Sequence, residues 1–359
     1  MKSYIKLETG EIFEGSWQQA FPDTYGEIVF FTGMTGYQEV MTDPSFHGQI
    51  VVFTYPLIGN YGVNPTDNES TQPQPAGIIV SEACSNSGHY EGDQTLAEAA
   101  LAAGIPVMEN VDTRALVKNI REKGDMGAVM TGSPESVDVG KYEPLGERDV
   151  INTVTVDKQI TVGSGDRHVV VMDFGYKQSM VDQLNKKGCK VTIVPYDTPK
   201  DAIEDLAPDG LLFSNGPGNP KQLDHYLSTY KELAEAYPTL GICLGHQLLA
   251  LAFGGDTEKL RFGHRGANQP VQDLETNKVF MSSQNHSYVV TDESLPKESF
   301  RIKYKNVNDG SVEGMMHTKF PIMTAQFHPE AHPGPADSEE IFDEFLETIE
   351  NKGREATYA

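Results

Sequence analysis

The hydrophobic pattern changes character near the middle of the chain. Before residue 150, short apolar stretches alternate with turn residues. Residues 4–13 alternate about Thr9-Gly10, which predicts a hairpin. Strand-like runs follow at 27–31 and 49–55, separated by Gly33, Gly36, Asp43-Pro44 and Gly48. Helices are predicted at 95–103, stopped by Gly104 and Pro106, and at 113–123, closed by Gly124. Periodicity fades over 145–166, ending in Gly163-Ser164-Gly165-Asp166. Beyond it, 168–172 is an unbroken β-branched run, followed by a helix near 178–187 and strands at 190–195, 210–213 and 239–243. Strands alternating with helices mean βαβ units and a mostly parallel sheet flanked by helices. The reading is therefore an α/β protein: a β-rich mixed α/β domain over 1–155, a linker over 156–167 and a second domain over 168–359. In such sheets, chemistry collects at the carboxyl ends of the strands.

Composition narrows the function classes. The 359 residues are enough for two well-packed domains. Lys and Arg number 28 against 52 Asp and Glu, a net charge of −24. Residues 1–160 carry 9 basic and 23 acidic side chains, a net −14, leaving −10 for the remainder. Between Lys6 and Arg114 there is no Lys or Arg, while 15 carboxylates fall in the gap. That balance repels phosphate backbones and argues against nucleic-acid binding. It fits either a solvated surface suited to a salty or alkaline habitat or a face matched to a basic partner subunit. No stretch approaches the roughly 20 apolar residues of a membrane span, and the start lacks a signal core. Cys84, Cys189 and Cys243 are odd in number with no C-x-x-C pair, which favours a reducing cytoplasm over a disulfide framework.

The strongest chemical signal is Gly241-Ile242-Cys243-Leu244-Gly245-His246-Gln247, between a strand and an apolar helical run. A G-x-nucleophile-x-G pattern at that junction is a nucleophile elbow, in which glycines permit the tight turn that exposes the thiol. The helix N-terminus favours the thiolate. Cys84 and Cys189 lack such flanks and read as structural. A nucleophile needs a base, and the base an orienting group. Gln326-Phe327-His328-Pro329-Glu330 offers both: at a strand end, residues i and i+2 share a face, so Glu330 holds the His328 ring. Ser214-Asn215-Gly216-Pro217-Gly218-Asn219-Pro220 follows a strand and can bring backbone N–H groups onto an oxyanion, together with the N–H of Leu244. The pattern of a phosphate-binding P-loop is absent. His246 reads as a structural hydrogen-bonding group, His286 has no place in the triad, and His264, His317 and His332 show no ligand spacing, so no metal is expected.

These three motifs, in this order, resemble the class I (triad) glutamine amidotransferases over about residues 168–355. The first half narrows the resemblance. Thr32-Gly33-Met34-Thr35-Gly36-Tyr37-Gln38-Glu39, Thr42-Asp43-Pro44-Ser45, Tyr55-Pro56-Leu57-Ile58-Gly59-Asn60-Tyr61-Gly62 and Val111-Asp112-Thr113-Arg114 look like the small subunit of glutamine-dependent carbamoyl phosphate synthetase. The resemblance implies a class I amidotransferase-like second domain that hydrolyses L-glutamine to glutamate and ammonia. It implies a first domain that docks on a large subunit, which makes carbamoyl phosphate from bicarbonate and ATP. No cofactor is then expected in this chain, ATP and Mg belonging to the large subunit. The pair would be a heterodimer, compatible with a higher oligomer of heterodimers.

The resemblance further implies roles for single residues. Cys243 attacks the amide carbon, His328 protonates the leaving ammonia and then activates water, and Glu330 orients it. Glutamine is held by Ser45, Gly216, Gly218, Leu244, Gln247, Asn285, Ser287 and Tyr288, with Ser45 supplied by the first domain. Gln247 lies four residues after the nucleophile, on the same helix face. Many relatives have Gly where this chain has Ser287. Two other readings remain at this stage: the glutaminase component of another synthase, of the anthranilate or GMP type, and a non-catalytic scaffold subunit. Residues 1–150 discriminate the first and the intact triad the second. Carbamoyl phosphate feeds arginine and pyrimidine synthesis, and the stretches 30–33, 51–54 and 82–84 lean toward the arginine-dedicated type.

Overall fold

The computed structural model describes residues 1–358, with side chains through Asn351. It divides into two compact units: residues 1–148 with Arg261–Gly266, and residues 149–260 with 267–359. None of its described helices is long and apolar enough to cross a membrane.

In the first unit, seven strands form one sheet in the order Ile12–Ser16, Lys2–Leu7, Met126–Thr131, Thr24–Phe31, Gln49–Phe53, Gly77–Ile79 and Val107–Met108. Thr24–Phe31 is the hinge of the pattern, antiparallel to Met126–Thr131 and parallel to Gln49–Phe53. Its side chains alternate between two cores. Val29 and Phe31 pack with Val51, Phe53 and the helix residues Leu96 and Ala100. Ile28 and Phe30 pack with Ile50, Val52 and the helix residues Leu116 and Ile120. A period of two thus gives each face its own helical cover, the first face adding the short helix Tyr37–Thr42. The helix Leu96–Ala102 begins with a full capping box, Thr95 and Glu98 bonding each other's backbone. Residues Arg261–Gly266 join this unit through Arg265, whose guanidinium meets Asp125 at 3.1 Å with both side chains buried.

The second unit carries a ten-stranded sheet. Its centre is parallel: Cys189–Pro195, Arg167–Asp173, Gly210–Phe213, Thr239–Ile242 and Ile322–Ala325, in that spatial order. Again alternate residues go to opposite faces. Val169, Val171, Leu212 and Ile242 meet Phe342 and Phe345 of the C-terminal helix Glu340–Tyr358. Val170, Met172, Leu211 and Phe213 meet Tyr230, Leu233 and Leu248. The sheet is less uniformly parallel than its alternating strands and helices predict. Val312–His317, Val279–Val290, Thr257–Asp273 and Phe300–Asn306 extend it with antiparallel pairings. Residues 156–167, expected as a connection, include the strand Ile160–Val162, which pairs antiparallel with Cys189–Pro195 at the sheet edge.

Candidate active site

Two neighbouring parallel strands set the chemistry. Thr239–Ile242 and Ile322–Ala325 run in register to Ile242 opposite Ala325, so the residues leaving both strands emerge side by side. The Cys243 N–H then donates to the Ala325 carbonyl at 2.8 Å, holding the two exits together. Cys243 has φ 54° and ψ −101°, a conformation L residues rarely adopt, and it directly precedes the helix Leu244–Ala252. The flanking glycines are forced by contact. A Cβ at Gly245 would lie 2.2 Å from the Phe213 carbonyl oxygen, and one at Gly241 would lie 2.7 Å from Leu249 Cδ1. The turn expected from the sequence is therefore present, and its strain is held by backbone packed on backbone.

His328 and Glu330 do not pair by strand alternation. The strand ends at Ala325, and residues 328–331 form a turn closed by the Ala331 N–H on the His328 carbonyl at 3.1 Å. The turn still brings Glu330 Oε1 to 2.6 Å from His328 Nδ1. The His328 N–H donates to the Ser283 carbonyl at 2.9 Å, pinning the loop to the neighbouring strand. His328 Nε2 is buried with no hydrogen-bond partner among the described residues. The Cys243 thiol, 2 % exposed, points to the Asn285 carbonyl at 3.7 Å. Burial alone would lower the His328 pKa, but the Glu330 charge, the neighbouring Cys243 and the hydrogen bond to Glu330 outweigh it and raise the pKa well above the ordinary imidazole value. Burial would raise Glu330, but the charges of Lys177 and His328 dominate and hold it below the usual carboxylate range.

Lys177 is the site residue that sequence reasoning missed. It precedes the helix Gln178–Lys186, just past the carboxyl end of the Arg167–Asp173 strand, and is 2 % exposed. Its Nζ lies 3.1 Å from Glu330 Oε1 and 2.6 Å from the Ala331 carbonyl oxygen. Its charge offsets that of Glu330, so moving a proton from Cys243 to His328 leaves the four-residue cluster neutral overall. It also opposes protonation of His328, which keeps the imidazolium from being locked in place. A lysine just after a strand end, in Asp173-Phe174-Gly175-Tyr176-Lys177, was the available signal.

The Ser214 loop sits against the elbow. The Gly245 N–H donates to the Ser214 carbonyl at 3.0 Å, and Ser214 Oγ accepts from the Phe174 N–H at 3.0 Å. A Cβ on Gly216 would lie 2.2 Å from the Phe174 carbonyl oxygen, and Gly218 has φ +90°. Leu244 opens the elbow helix, where the first N–H groups have no partner within the helix. Gln247 Nε2 donates to the Tyr288 carbonyl at 2.8 Å and to Gln326 Oε1 at 3.0 Å, which brings the 284–288 stretch to the elbow helix. Asn285 is buried in that stretch, while Ser287 and Tyr288 are half-buried. Ser45 belongs to the first unit, in the short turn Pro44–Phe46, its N–H on Asp43 Oδ1 at 2.9 Å.

The remaining singled-out residues have other work. His246 is fully buried with Nδ1 2.8 Å from Thr324 Oγ1, and burial pushes its pKa down to about 3. His286 lies with Nδ1 2.9 Å from the Tyr288 carbonyl oxygen and Nε2 3.1 Å from Gln284 Oε1. Cys189 is a core residue whose thiol is pushed up by burial, and Cys84 is half-buried.

Comparison with known proteins was made against this geometry. The family described as "Glutamine amidotransferase class-I" matches residues 170–348, and "Carbamoyl-phosphate synthase small chain, CPSase domain" matches residues 5–130. The arginine-specific small chain of carbamoyl phosphate synthase from Halalkalibacterium halodurans is 56 % identical over 359 residues, covering all of both chains. Its counterpart in Bacillus subtilis is 51 % identical over the same length, again with full coverage of both. The carbamoyl phosphate synthase small chain of Caldanaerobacter subterraneus subsp. tengcongensis is 44 % identical over 349 residues, 97 % of each chain.

Proposed function

This chain belongs to the family of carbamoyl phosphate synthase small chains, and from that premise we propose how its residues divide the work. It is the glutaminase subunit: glutamine in, glutamate and ammonia out. The match of residues 5–130 sets aside the glutaminase components of anthranilate or GMP synthesis, and the intact triad argues against a silent scaffold. The arginine-specific names of relatives that match along nearly the whole chain support arginine synthesis as the destination of the product.

Cys243 sulfur turns from the Asn285 carbonyl to His328 Nε2, gives up its proton there and attacks the amide carbon of glutamine. The carbonyl electrons move to an oxyanion, which backbone N–H groups of Leu244 and of Gly216 or Gly218 stabilise. Collapse breaks the C–N bond, and His328 passes its proton to the departing nitrogen, releasing ammonia and leaving a thioester on Cys243. His328, now neutral, takes a proton from water as the hydroxide attacks the thioester carbon; the C–S bond breaks, His328 returns that proton to the Cys243 sulfur, and glutamate leaves. Glu330 holds the ring through Nδ1, and Lys177 balances Glu330. Gln247, Asn285, Ser287 and Tyr288 hold the amino-acid end of the substrate. Ammonia passes to a large subunit, where ATP, magnesium and bicarbonate do the remaining chemistry, so this chain needs no cofactor of its own. Three free cysteines support a cytoplasmic setting.

The observation that carries this reading is that Cys243 and the His328–Glu330 pair follow the side-by-side ends of two registered parallel strands. The test is Cys243→Ser in the assembled two-subunit enzyme. Glutamine-driven synthesis should fall by about 10³-fold or more, as expected for loss of a covalent nucleophile, while ammonia-driven synthesis continues. Retained glutamine-driven synthesis would overturn the assignment of the nucleophile.

A further inference from the structure

The motif that supplies His328 and Glu330 begins with Gln326, for which the mechanism has no use. Gln326 is fully buried, one residue past the strand Ile322–Ala325, with its N–H on the Glu313 carbonyl at 2.8 Å. Its side chain meets one functional group, the amide of Gln247, at 3.0 Å. The same Gln247 nitrogen lies 2.8 Å from the Tyr288 carbonyl oxygen.

These two contacts fix which way both amides face. A backbone carbonyl can only accept, so Gln247 must turn its NH₂ toward Tyr288. The second NH₂ hydrogen then needs another acceptor, and Gln326 must present its oxygen. With both hydrogens engaged, Oε1 is the hydrogen-bonding atom of Gln247 not already engaged within the protein among the described residues. It is an acceptor, and it can be satisfied only by a donor. Gln326 meets this requirement at a cost: its own Nε2 is buried with no partner among the described residues. A buried donor left unpaired is unfavourable, and its persistence calls for a reason.

We propose that Gln326 is a positioning residue that fixes the amide of Gln247 with its carbonyl toward the substrate, and so selects glutamine by its α-ammonium group. This rests on the glutaminase reading above, in which Gln247 faces the amino-acid end of the substrate. Among the groups at that end, the ammonium is the donor and the carboxylate an acceptor, so an amide turned the other way would attract the wrong one.

The experiment compares L-glutamine with 4-carbamoylbutanoate, which keeps the amide and carboxylate and lacks the α-ammonium. Ammonia release by the reconstituted two-subunit enzyme gives kcat/KM for each, and the ratio of the two cancels the fraction of active protein. Where the analogue turns over too slowly, its Ki as a competitor of glutamine replaces its kcat/KM. In Gln326→Met the ratio should fall about tenfold, carried by a rise in KM for glutamine with kcat little changed, because a charge-assisted hydrogen bond is weakened. Gln326→Glu keeps an acceptor oxygen toward Gln247 and should stay within about threefold of the parent ratio. An unchanged ratio in Gln326→Met, or an equal loss in both variants, would overturn the proposal. Failure of the parent enzyme to hydrolyse glutamine would instead overturn the glutaminase reading.

Discussion

His246 adjoins the catalytic elbow in sequence, yet its chemistry is that of a buried neutral group. Burial lowers its pKa to about 3 in the folded chain, against an ordinary value near 6.5 when unfolded. The unfolded state therefore binds a proton that the folded state refuses. The stability this provides is complete above about pH 6.5 and is lost as pH falls toward about 3. His246→Gln keeps a polar partner for Thr324 and removes the titration. The stability advantage of the parent over this variant should shrink by roughly 1–2 kcal/mol between pH 6.5 and pH 5, measured by urea unfolding. An advantage independent of pH would show that His246 is not held neutral. The same site marks the boundary of what a sequence can tell. Cys243, His328 and Glu330 are legible because each sits in a short pattern whose spacing implies its geometry. Lys177 sits 151 positions before His328 in a stretch with no pattern of its own, and only the convergence of strand ends brings its ammonium to Glu330.

The elbow is the element on which the site depends, and its glycines divide into those that are forced and those that are free. A Cβ at Gly245 would meet the Phe213 carbonyl oxygen at 2.2 Å, a backbone atom in the centre of the sheet that cannot move aside. Gly132 has nothing within 4 Å of the corresponding position. Gly245→Ala should cost about 3 kcal/mol or more and abolish glutamine hydrolysis, while Gly132→Ala should stay within about 0.5 kcal/mol of the parent. Urea unfolding and ammonia release test both; a tolerant Gly245→Ala would mean that the strand and helix can separate at the turn. At this scale the parallel strands were legible because they are apolar on both faces. The antiparallel extension was not. Thr257–Asp273 reads TEKLRFGHRGANQPVQD, whose charged and amide side chains give no clear alternation. Its strand character comes from pairing with Val279–Val290, just past a short turn, and with Phe300–Asn306, further along the chain. The turn after Ala325 was misread as strand for a related reason: the register that ends a strand is set by its neighbour, here Thr239–Ile242, which itself stops at Ile242.

At the scale of the whole molecule, the acidic stretch between Lys6 and Arg114 gains a shape. Of its 15 carboxylates, Glu27, Asp43 and Glu69 are buried and nine are exposed. Four of those nine, Glu82, Glu91, Asp93 and Glu98, fall within 17 residues, around the start of the helix Leu96–Ala102. Three cations of the same unit stand on one helix, with Asp112 and Glu122 beside them. Arg114, Lys118 and Arg121 share one helix and line a groove of about 860 Å³ floored in part by Phe262 and Val117. A cluster of exposed carboxylates, in a stretch of sequence that holds no cation, suits a surface that meets a basic partner. On the proposed reading, the exposed carboxylates of residues 82–98 would serve docking on the large subunit, and the −10 of residues 161–359 would be a general solvation bias. Association with the large subunit should then weaken severalfold as salt rises from about 50 to 300 mM, because the Debye length shortens from roughly 14 to 6 Å over that range. Replacing Glu91 by Gln and Asp93 by Asn together should flatten that dependence while leaving the urea midpoint of the isolated chain in place, since both side chains are exposed. Titration of labelled small chain into large subunit at several salt concentrations measures both slopes. A flat response in the parent would return the whole −24 to solvation, and a steep response unaltered in the double variant would move the docking charge away from residues 82–98.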